Sequence, residues 1–492
     1  GAAYAFTRSG ASWSQQAELT AASGAALDHF GFAVALAGDQ ALLGSPGDDV
    51  GVATDQGSVS VFGRTGTDWS EQALLTAGDG AEWDGFGNAV AATGNAALVG
   101  ASGDNVGANA DQGSAYVFDV DIVAPVTTAA VTPAATTAGW NNSGVTVTLS
   151  AGDAGTGVDT TYYRFGVSGG FSIYDPAAKP TVSAEGTTTL QYYSTDVAGN
   201  VEGTKSIDVK IDRTPPETSV TVGSIPSGWS TSPVTVAFLA SDALSGMTGG
   251  GAHTEYSTDG GARWTSGGSA TVRTEGTTTL LYRSVDAAGN VETPSHSATL
   301  QIDMSPPQTT ASGVPTGWSK NAVDVTLNAA DAHSGMAGGS ARTEWSTDGG
   351  STWTIGTSLN VSAQGATDVL YRSVDFAGNA ETTQSAAVRI DGAQPTTKAY
   401  AASVKKGKKV KLRFRVDDPV PGSGQAAVTL KIFKGAKLKK TLKLSGARPS
   451  NAKQSYSWRC TLPRGKYTVT VYAEDLAGNV QSRAGSAKLT VK

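Results

Sequence analysis

Apolar and polar residues alternate along this chain in short runs broken by Gly, Asp, Asn and Pro. In KVKLRFRV (Lys409–Val416), Val, Leu and Phe take every second position between Lys and Arg, so one face is apolar and the other cationic. That two-residue period marks a strand with one face on a core and one in water. GSVSVF (Gly57–Phe62) also alternates apolar residues with small ones and reads as a short strand. No long stretch carries a 3.6-residue apolar period in good helix formers, so almost no helix is expected. No apolar run approaches the roughly 20 residues of a membrane span.

The runs belong to two kinds of repeat, and repeats decide architecture. The first kind has a period of 56: GAAYAF begins at Gly1, GSVSVF at Gly57 and GSAYVF at Gly113. Between them recur WSQQAELTA (Trp13) and WSEQALLTA (Trp69), then DHFGFAVALAGDQALLGSPGDD (Asp28–Asp49) and DGFGNAVAATGNAALVGASGDN (Asp84–Asn105). Each unit reads as four short strands, W-x-x-Q-A-x-L, F-G-x-A-V-A, A-L-x-G and G-S-x-x-V-F, separated by Gly and Asp turns.

These units resemble the FG-GAP family, the blade repeat of the integrin α-subunit propeller and of many bacterial surface proteins. Phe30-Gly31 and Phe86-Gly87, the segments Gly44-Ser45-Pro46 and Gly100-Ala101-Ser102, and the closing G-S-x-x-V-F strands carry the likeness; the second unit lacks the proline. The resemblance implies propeller-type blades, yet two units fall short of the roughly four to eight of a closed propeller. Residues 1–6 align with the last strand of a blade whose other strands are missing. An open β edge associates unless it is paired, so this edge is expected to be completed by a larger protein or by another subunit.

The second repeat has a period near 90, with Trp140, Trp229 and Trp318 each in a G-W-[NS] turn. D-A-x-[ST]-G turns follow at Asp153–Gly157, Asp242–Gly246 and Asp331–Gly335, then D-G-G hairpins in TEYSTDGGARW (Thr254–Trp264) and TEWSTDGGSTW (Thr343–Trp353). Each unit closes with YYSTDVAGNVE (Tyr192–Glu202), YRSVDAAGNVE (Tyr282–Glu292) or YRSVDFAGNAE (Tyr371–Glu381), and a last strand ends in Ile-Asp. Strands with such frequent turns over about 90 residues predict an immunoglobulin-like sandwich, and the D-x-A-G-N turn is similar to tandem Ig-like repeats of bacterial extracellular proteins. YAEDLAGNV (Tyr472–Val480) extends the pattern to the C-terminal end.

The expected architecture is all-β: an incomplete FG-GAP propeller segment at 1–122, Ig-like sandwiches at 123–212, 213–303 and 304–391, and a basic, divergent sandwich at 392–492. DRTPPET (Asp212–Thr218) and DMSPPQT (Asp303–Thr309) join successive sandwiches. Two prolines in a row fix φ and withhold backbone donors, so these joints are stiff.

At 492 residues the chain exceeds a single core, and its 62 glycines and 16% charged residues suit short strands and tight turns. Cys460 stands alone, which excludes an internal disulfide or a Cys-based zinc site and leaves a buried strand residue or an intermolecular bridge. No signal-peptide pattern opens the chain, which points to a mature product or a fragment. The net charge of −7 conceals a polarity: residues 393–492 hold 22 Lys and Arg against 4 Asp and Glu, leaving 14 basic and 39 acidic side chains in the rest. An acidic body and a basic end favour association between copies or attachment to an anionic cell-wall polymer or glycan. The basic strands KKGKKVKLRFRV and KIFKGAKLKKTLK read as the solvated face of a sheet, not a nucleic-acid site.

Recurring loop aspartates are the candidate chemistry. In the FG-GAP units, Asp48, Asp49 and Asp55, then Asp104, Asn105 and Asp111, sit in loops of equal length. Oxygen ligands on a Gly-rich loop suit Ca²⁺, although neither loop has the D-x-D-x-D-G pattern of calcium-binding integrin blades; Asx side chains capping turns are the favoured reading. The joint aspartates Asp212, Asp303 and Asp391 are placed to approach turn aspartates such as Asp242 and Asp331, again as Ca²⁺ ligands or turn caps. Trp140, Trp229, Trp318, Trp264 and Trp353 recur at fixed phase, which points to packing before sugar stacking. His29, His253, His296 and His333 fall in unrelated loops and form no metal motif, and no nucleophile elbow or P-loop appears.

Together these features predict a secreted bacterial protein that acts by structure and binding, not catalysis. It forms or decorates an extracellular filament, stalk or surface layer by subunit-to-subunit β association through the N-terminal blade edge and the basic C-terminal domain. The alternative is a cell-surface adhesin that binds a glycan or protein, with the Ig-like repeats as spacer.

Overall fold

The computed structural model describes residues 1–492, and all of its regular structure is β, as the alternation predicts. The chain forms two compact units: Gly1–Thr218 with Ala240–Thr254 and Arg283–Pro294, and Ser219–Leu239 with Glu255–Tyr282 and Ser295–Lys492.

The first unit opens with three small sheets. β1 (Ala3–Ser9) pairs antiparallel with β2 (Ser12–Leu19). β3 (Val34–Ala37), β4 (Gln40–Ser45), β5 (Ser58–Thr65) and β6 (Asp68–Leu75) make a four-stranded meander. β7 (Phe86–Thr93), β8 (Ala96–Ala101) and β9 (Ser114–Asp119) make a three-stranded one. The strand grouping read from the sequence needs correction. Each Trp-containing strand pairs with the G-S-x-x-V-F strand that precedes it, β2 on β1 and β6 on β5, so each such sheet straddles two sequence repeats. A tight two-residue reversal links those strands, whereas a long loop separates the Trp strand from the F-G strand of its own repeat.

Leu42, Val59 and Val61 from one sheet bury against Phe86, Val99 and Ala101 from the next. The glycines of the FG-GAP pattern make this approach possible: a Cβ on Gly44 would stand 2.0 Å from the Gly87 carbonyl oxygen. Gly87 itself has φ +90°, a conformation that favours glycine. Phe86, fully buried, meets Tyr116 and Phe118 edge-on at 5.5 and 5.6 Å.

Beyond the blades comes a two-sheet sandwich. β10 (Val126–Thr132), β11 (Trp140–Asn141), β12 (Val145–Gly152), β13 (Val158–Phe165), β14 (Ser172–Ile173), β15 (Thr181–Val182), β16 (Gly186–Asp196) and β17 (Lys205–Ile211) form it. One sheet runs β10-β12-β15 and the other β11-β17-β16-β13-β14, an immunoglobulin-like arrangement. Inward positions of β12, Val145, Val147 and Leu149, pack on Leu190, Tyr192, Val209 and Ile211. The same orders of three and five strands recur twice. The basic end forms a fourth sandwich, with Thr396–Ala399, Lys409–Asp417 and Lys453–Arg459 as its three-stranded sheet. Its Tyr467 hydroxyl donates to the Pro463 carbonyl at 2.8 Å, closing the corner into a long strand.

The recurring tryptophans are sheet elements. Trp140 pairs in parallel with Lys210, Trp229 with Gln301 and Trp318 with Arg389, all half-buried, and Trp353 packs under the Arg372 guanidinium at 4.2 Å. Two histidines expected in loops lie on strands instead, His253 at the start of His253–Ser257 and His296 at the start of His296–Ile302, where it stacks on Tyr282. Cys460 follows the strand Lys453–Arg459 and is fully buried, so folded chains cannot bridge through it.

Candidate functional site

The site repeats four times, each time where one module ends and the next begins. The aspartate closing a module meets two turn aspartates of the following sandwich: Asp121 with Asp153 and Asp196, Asp212 with Asp242 and Asp286, Asp303 with Asp331 and Asp375, Asp391 with Asp418 and Asp475. In each group the three carboxylates bring oxygens within 4.8 Å of one another. Donors spaced like this around one point fit a hard cation such as Ca²⁺, whose oxygen ligands stand about 2.3–2.6 Å from it.

Local sequence builds each corner. In D-A-x-[ST]-G, Asp242 Oδ1 accepts the amides of Leu244 at 3.0 Å and Gly246 at 2.7 Å, and Asp331 Oδ1 those of His333 at 3.0 Å and Gly335 at 2.6 Å. Asp153 does the same through Oδ2 with Gly155 and Gly157, each at 2.8 Å. In D-x-A-G-N, Asp286 Oδ1 accepts the amides of Ala288 and Asn290, and the Asn290 side-chain amide reaches Oδ2 at 2.7 Å. Both are Asx turns, closed by a glycine at positive φ: +76° at Gly246 and +91° at Gly289.

The joint aspartate is then captured from three directions. Asp212 Oδ2 accepts the Ser245 amide at 2.9 Å, Oδ1 accepts the Thr214 amide at 3.0 Å, and the main-chain carbonyl accepts Asn290 Nδ2 at 2.8 Å. Asp303 repeats this with Ser334, Ser305 and Asn379, and Asp121 with Thr156, Val123 and Asn200. Burial would raise the Asp212 carboxyl, but the hydroxyl and amide of Ser245 and the Thr214 amide outweigh it and hold the group below its usual value. Asp121 and Asp331 are held low in the same way, burial being overcome by amide donors.

The fourth joint departs from this scheme. Asp391 is captured as before, by the Ser423 amide at 2.7 Å and by Asn479 Nδ2 at 2.6 Å on its carbonyl. Its turn aspartate, Asp418, opens DPVPG instead of D-A-x-S-G. Prolines at 419 and 421 remove donors, and neither Asp418 oxygen has a hydrogen-bond partner although the residue is 3% exposed. Burial first, and then the charges of Asp391 and Asp475, push its carboxyl up to about 6; the nearby Ser423 hydroxyl opposes this only in part, since it donates to the Gln425 carbonyl.

Of the aspartates singled out from sequence, Asp212, Asp303 and Asp391 therefore lie beside turn aspartates, and Asp242 and Asp331 are among them. The third member of each triad stands in D-x-A-G-N, which the sequence marks only as a turn, and nothing in the sequence singles out Asp121 or Asp418. The FG-GAP loop residues serve their own loops: Asp49 Oδ1 accepts the Asp55 amide at 2.9 Å, and Asn105 Oδ1 the Asp111 amide at 2.8 Å. Asp48 and Asp104 accept the Ser58 and Ser114 hydroxyls, while Asp55 and Asp111 adopt positive φ that Asx residues tolerate.

A second recurrent device links the two sheets. Glu202 Oε1 accepts the Thr127 amide at 2.8 Å and Oε2 the Ser194 amide at 3.2 Å; Glu292 does likewise with Thr218 and Ser284. Beside it runs a hydroxyl chain, Thr127–Ser194–Thr161, repeated as Thr218–Ser284–Thr254 and Thr309–Ser373–Thr343, buried except at the half-buried Thr161 and Thr254.

Fold and joints define a tandem-repeat, all-β protein in which carboxylate corners tie consecutive modules. Its N-terminal region carries FG-GAP repeats: residues 13–62 and 69–118 match the family described as FG-GAP repeat. No curated protein matches the chain. Among solved structures, it is similar to the tetra-tandem repeat in the extending region of a large adhesion protein, at 16% identity and TM-score 0.27, covering 74% of this chain and 98% of that one. It is also similar to fibronectin(III)-like modules of Clostridium thermocellum CbhA, at 14% identity and TM-score 0.22, covering 38% and 94%. Three N-terminal domains of the bacteriophage RB49 highly immunogenic outer capsid protein match at 10% identity and TM-score 0.26, covering 56% and 98%. No helix is long and apolar enough to cross a membrane.

Proposed function

We propose that this protein is an extracellular, surface-associated structural repeat protein that assembles by β association at its N-terminal blade edge. The observation that carries the reading is the state of β1. Its counterpart in the next repeat, β5, is hydrogen-bonded on both sides, whereas β1 is paired only with β2. The faces differ accordingly: Phe62 is 4% exposed, and Phe6, at the matching position, is 52% exposed. Tyr4, Val34 and Leu36, also exposed, line one groove with Phe6. A strand with one free edge and exposed apolar side chains is a template for another strand.

Tandem sandwiches with repeated joints then act as the spacer of this assembly, and the basic fourth sandwich attaches it to an anionic polymer or to the acidic modules of a neighbouring copy. On the strand Lys409–Asp417, Lys409, Lys411 and Arg413 face outward while Val410, Leu412 and Phe414 are buried. Lys409 stands opposite Arg459 and Arg415 opposite Lys453, pairs of like charge that favour an anionic partner.

Sedimentation of the chain across a wide concentration range tests the reading. Self-association that Phe6→Glu abolishes, with the β circular-dichroism spectrum unchanged, is the expected result. A chain that stays monomeric throughout overturns it, as does a longer natural chain whose preceding residues pair with β1 and which remains monomeric.

A further inference from the structure

The fourth joint differs from the other three in one chemical respect. At the first three joints the turn aspartate directs an oxygen to two amides of its own turn. At the fourth, Asp418 is equally committed to the cluster but has no donor. Its main chain is held in place by Asn451, whose Oδ1 accepts the Asp418 amide at 2.9 Å and whose Nδ2 donates to the Asp418 carbonyl at 2.7 Å. The side chain is thereby fixed facing Asp391 and Asp475, and all three residues are buried, at 0%, 3% and 5% exposure for Asp391, Asp418 and Asp475.

Three buried carboxylates in mutual contact with no compensating cation carry a large desolvation and repulsion cost. The chain supplies no Lys or Arg to this cluster and no hydrogen bond to either Asp418 oxygen. This occurs in the most basic part of the protein, so a salt bridge was available to evolution and is not used. What the site offers is two Asp418 oxygens without competing protein protons, beside carboxylates of Asp391 and Asp475 that also accept amides, an all-oxygen donor set suited to a hard divalent cation.

We propose that Asp391, Asp418 and Asp475 bind one hard divalent cation, of which Ca²⁺ is the probe ion, at the joint between the third and fourth sandwiches. The cation neutralises the triad and supplies the partner that the Asp418 turn lacks. It couples Asp391, which directly follows the last strand of the third sandwich (Gln384–Ile390), to both turns of the fourth. This goes beyond the assembly reading above and does not depend on it.

The test counts ions. The full chain is freed of metal with a chelator, dialysed, and titrated with CaCl₂ by calorimetry, with bound ions counted by native mass spectrometry. The expected result is one bound Ca²⁺ fewer in Asp418→Asn than in the parent, and loss of the Ca²⁺-dependent rise in the melting of the fourth sandwich. In chelator, Asp418→Asn melts no lower than the parent, because it removes an uncompensated charge and keeps the side-chain shape. Asp475→Asn, a second variant, also loses one ion. A parent chain that binds no Ca²⁺, or an Asp418→Asn chain with the parent's ion count and melting shift, overturns the proposal and leaves a shared proton as the group that relieves the triad.

Discussion

Asn290 donates its side-chain amide to the main-chain carbonyl of Asp212 at 2.8 Å, across 78 residues of sequence. The same Nδ2 reaches Asp286 Oδ2 at 2.7 Å, so one amide group fastens the end of one module to the closing turn of the next. Asn200, Asn379 and Asn479 repeat the pattern with Asp121, Asp303 and Asp391. Replacing Asn290 with Ala removes a neutral and a charge-assisted bond and is expected to lower stability by about 1–3 kcal/mol. Asn290→Asp goes further, adding a fourth carboxylate to the corner. Urea denaturation of the two variants, with and without Ca²⁺, measures both effects; equal midpoints for parent and Asn290→Ala would show that the amide does not fasten the joint.

Ser373 lies fully buried between Thr309 at 2.6 Å and Thr343 at 2.9 Å. Ser373→Ala strands two buried hydroxyls and is expected to cost about 1–3 kcal/mol. Replacing all three residues with Ala, Val and Val restores an apolar contact, so the triple variant is expected to recover part of the loss. Denaturant midpoints of the single and triple variants check this.

Glu202 gives the first sandwich a pH dependence. Burial alone would raise its carboxyl, but Lys205, 2.6 Å away, and Thr127 outweigh burial and hold it below its usual value. A carboxyl depressed in the folded state contributes stability that is full above its unfolded value, about 4.3, and is lost as pH falls through the folded value. Stability is therefore expected to fall as the solution is acidified below that point. Glu202→Gln is expected to be less stable at neutral pH and to show a flatter acid limb, read from urea midpoints between neutral and acid pH.

The cationic face of the fourth sandwich is expected to govern binding to polyanions. Lys409→Glu with Lys411→Glu should elute from immobilised heparin at lower salt than the parent, while the acidic N-terminal modules should tolerate charge changes with no shift. Because exposed charges are screened within about 8–10 Å at physiological salt, retention should also collapse steeply as salt rises.

Cys460 is fully enclosed by the core of the fourth sandwich. A thiol reagent is expected to leave it unmodified in the native chain and to label it in denaturant. Rapid native labelling would mean that this sandwich opens far more readily than its packing implies.

Much of this architecture is legible in the order of the residues. A two-residue apolar period can bury only as a sheet, and D-A-x-[ST]-G, D-x-A-G-N and D-G-G are turn chemistry wherever they occur, because Asx capping and glycine at positive φ are local properties. Tandem sandwiches follow from the spacing of those signals. The sequence does not say which strand a strand joins. Trp13 and Trp69 open repeat units by eye, yet β2 and β6 pair backwards, because short reversals after β1 and β5 close with less entropy than the long loops that follow β2 and β6. Nor does it say which turn meets which joint. Asp212, Asp242 and Asp286 are dispersed over 74 residues, and only the packing of one sandwich on the end of another brings their oxygens together. The clearest case is Asp418. In sequence it is one more aspartate before a proline; the tertiary fold buries it, withholds every donor and points it at two other carboxylates, which gives an ordinary turn residue the character of a ligand.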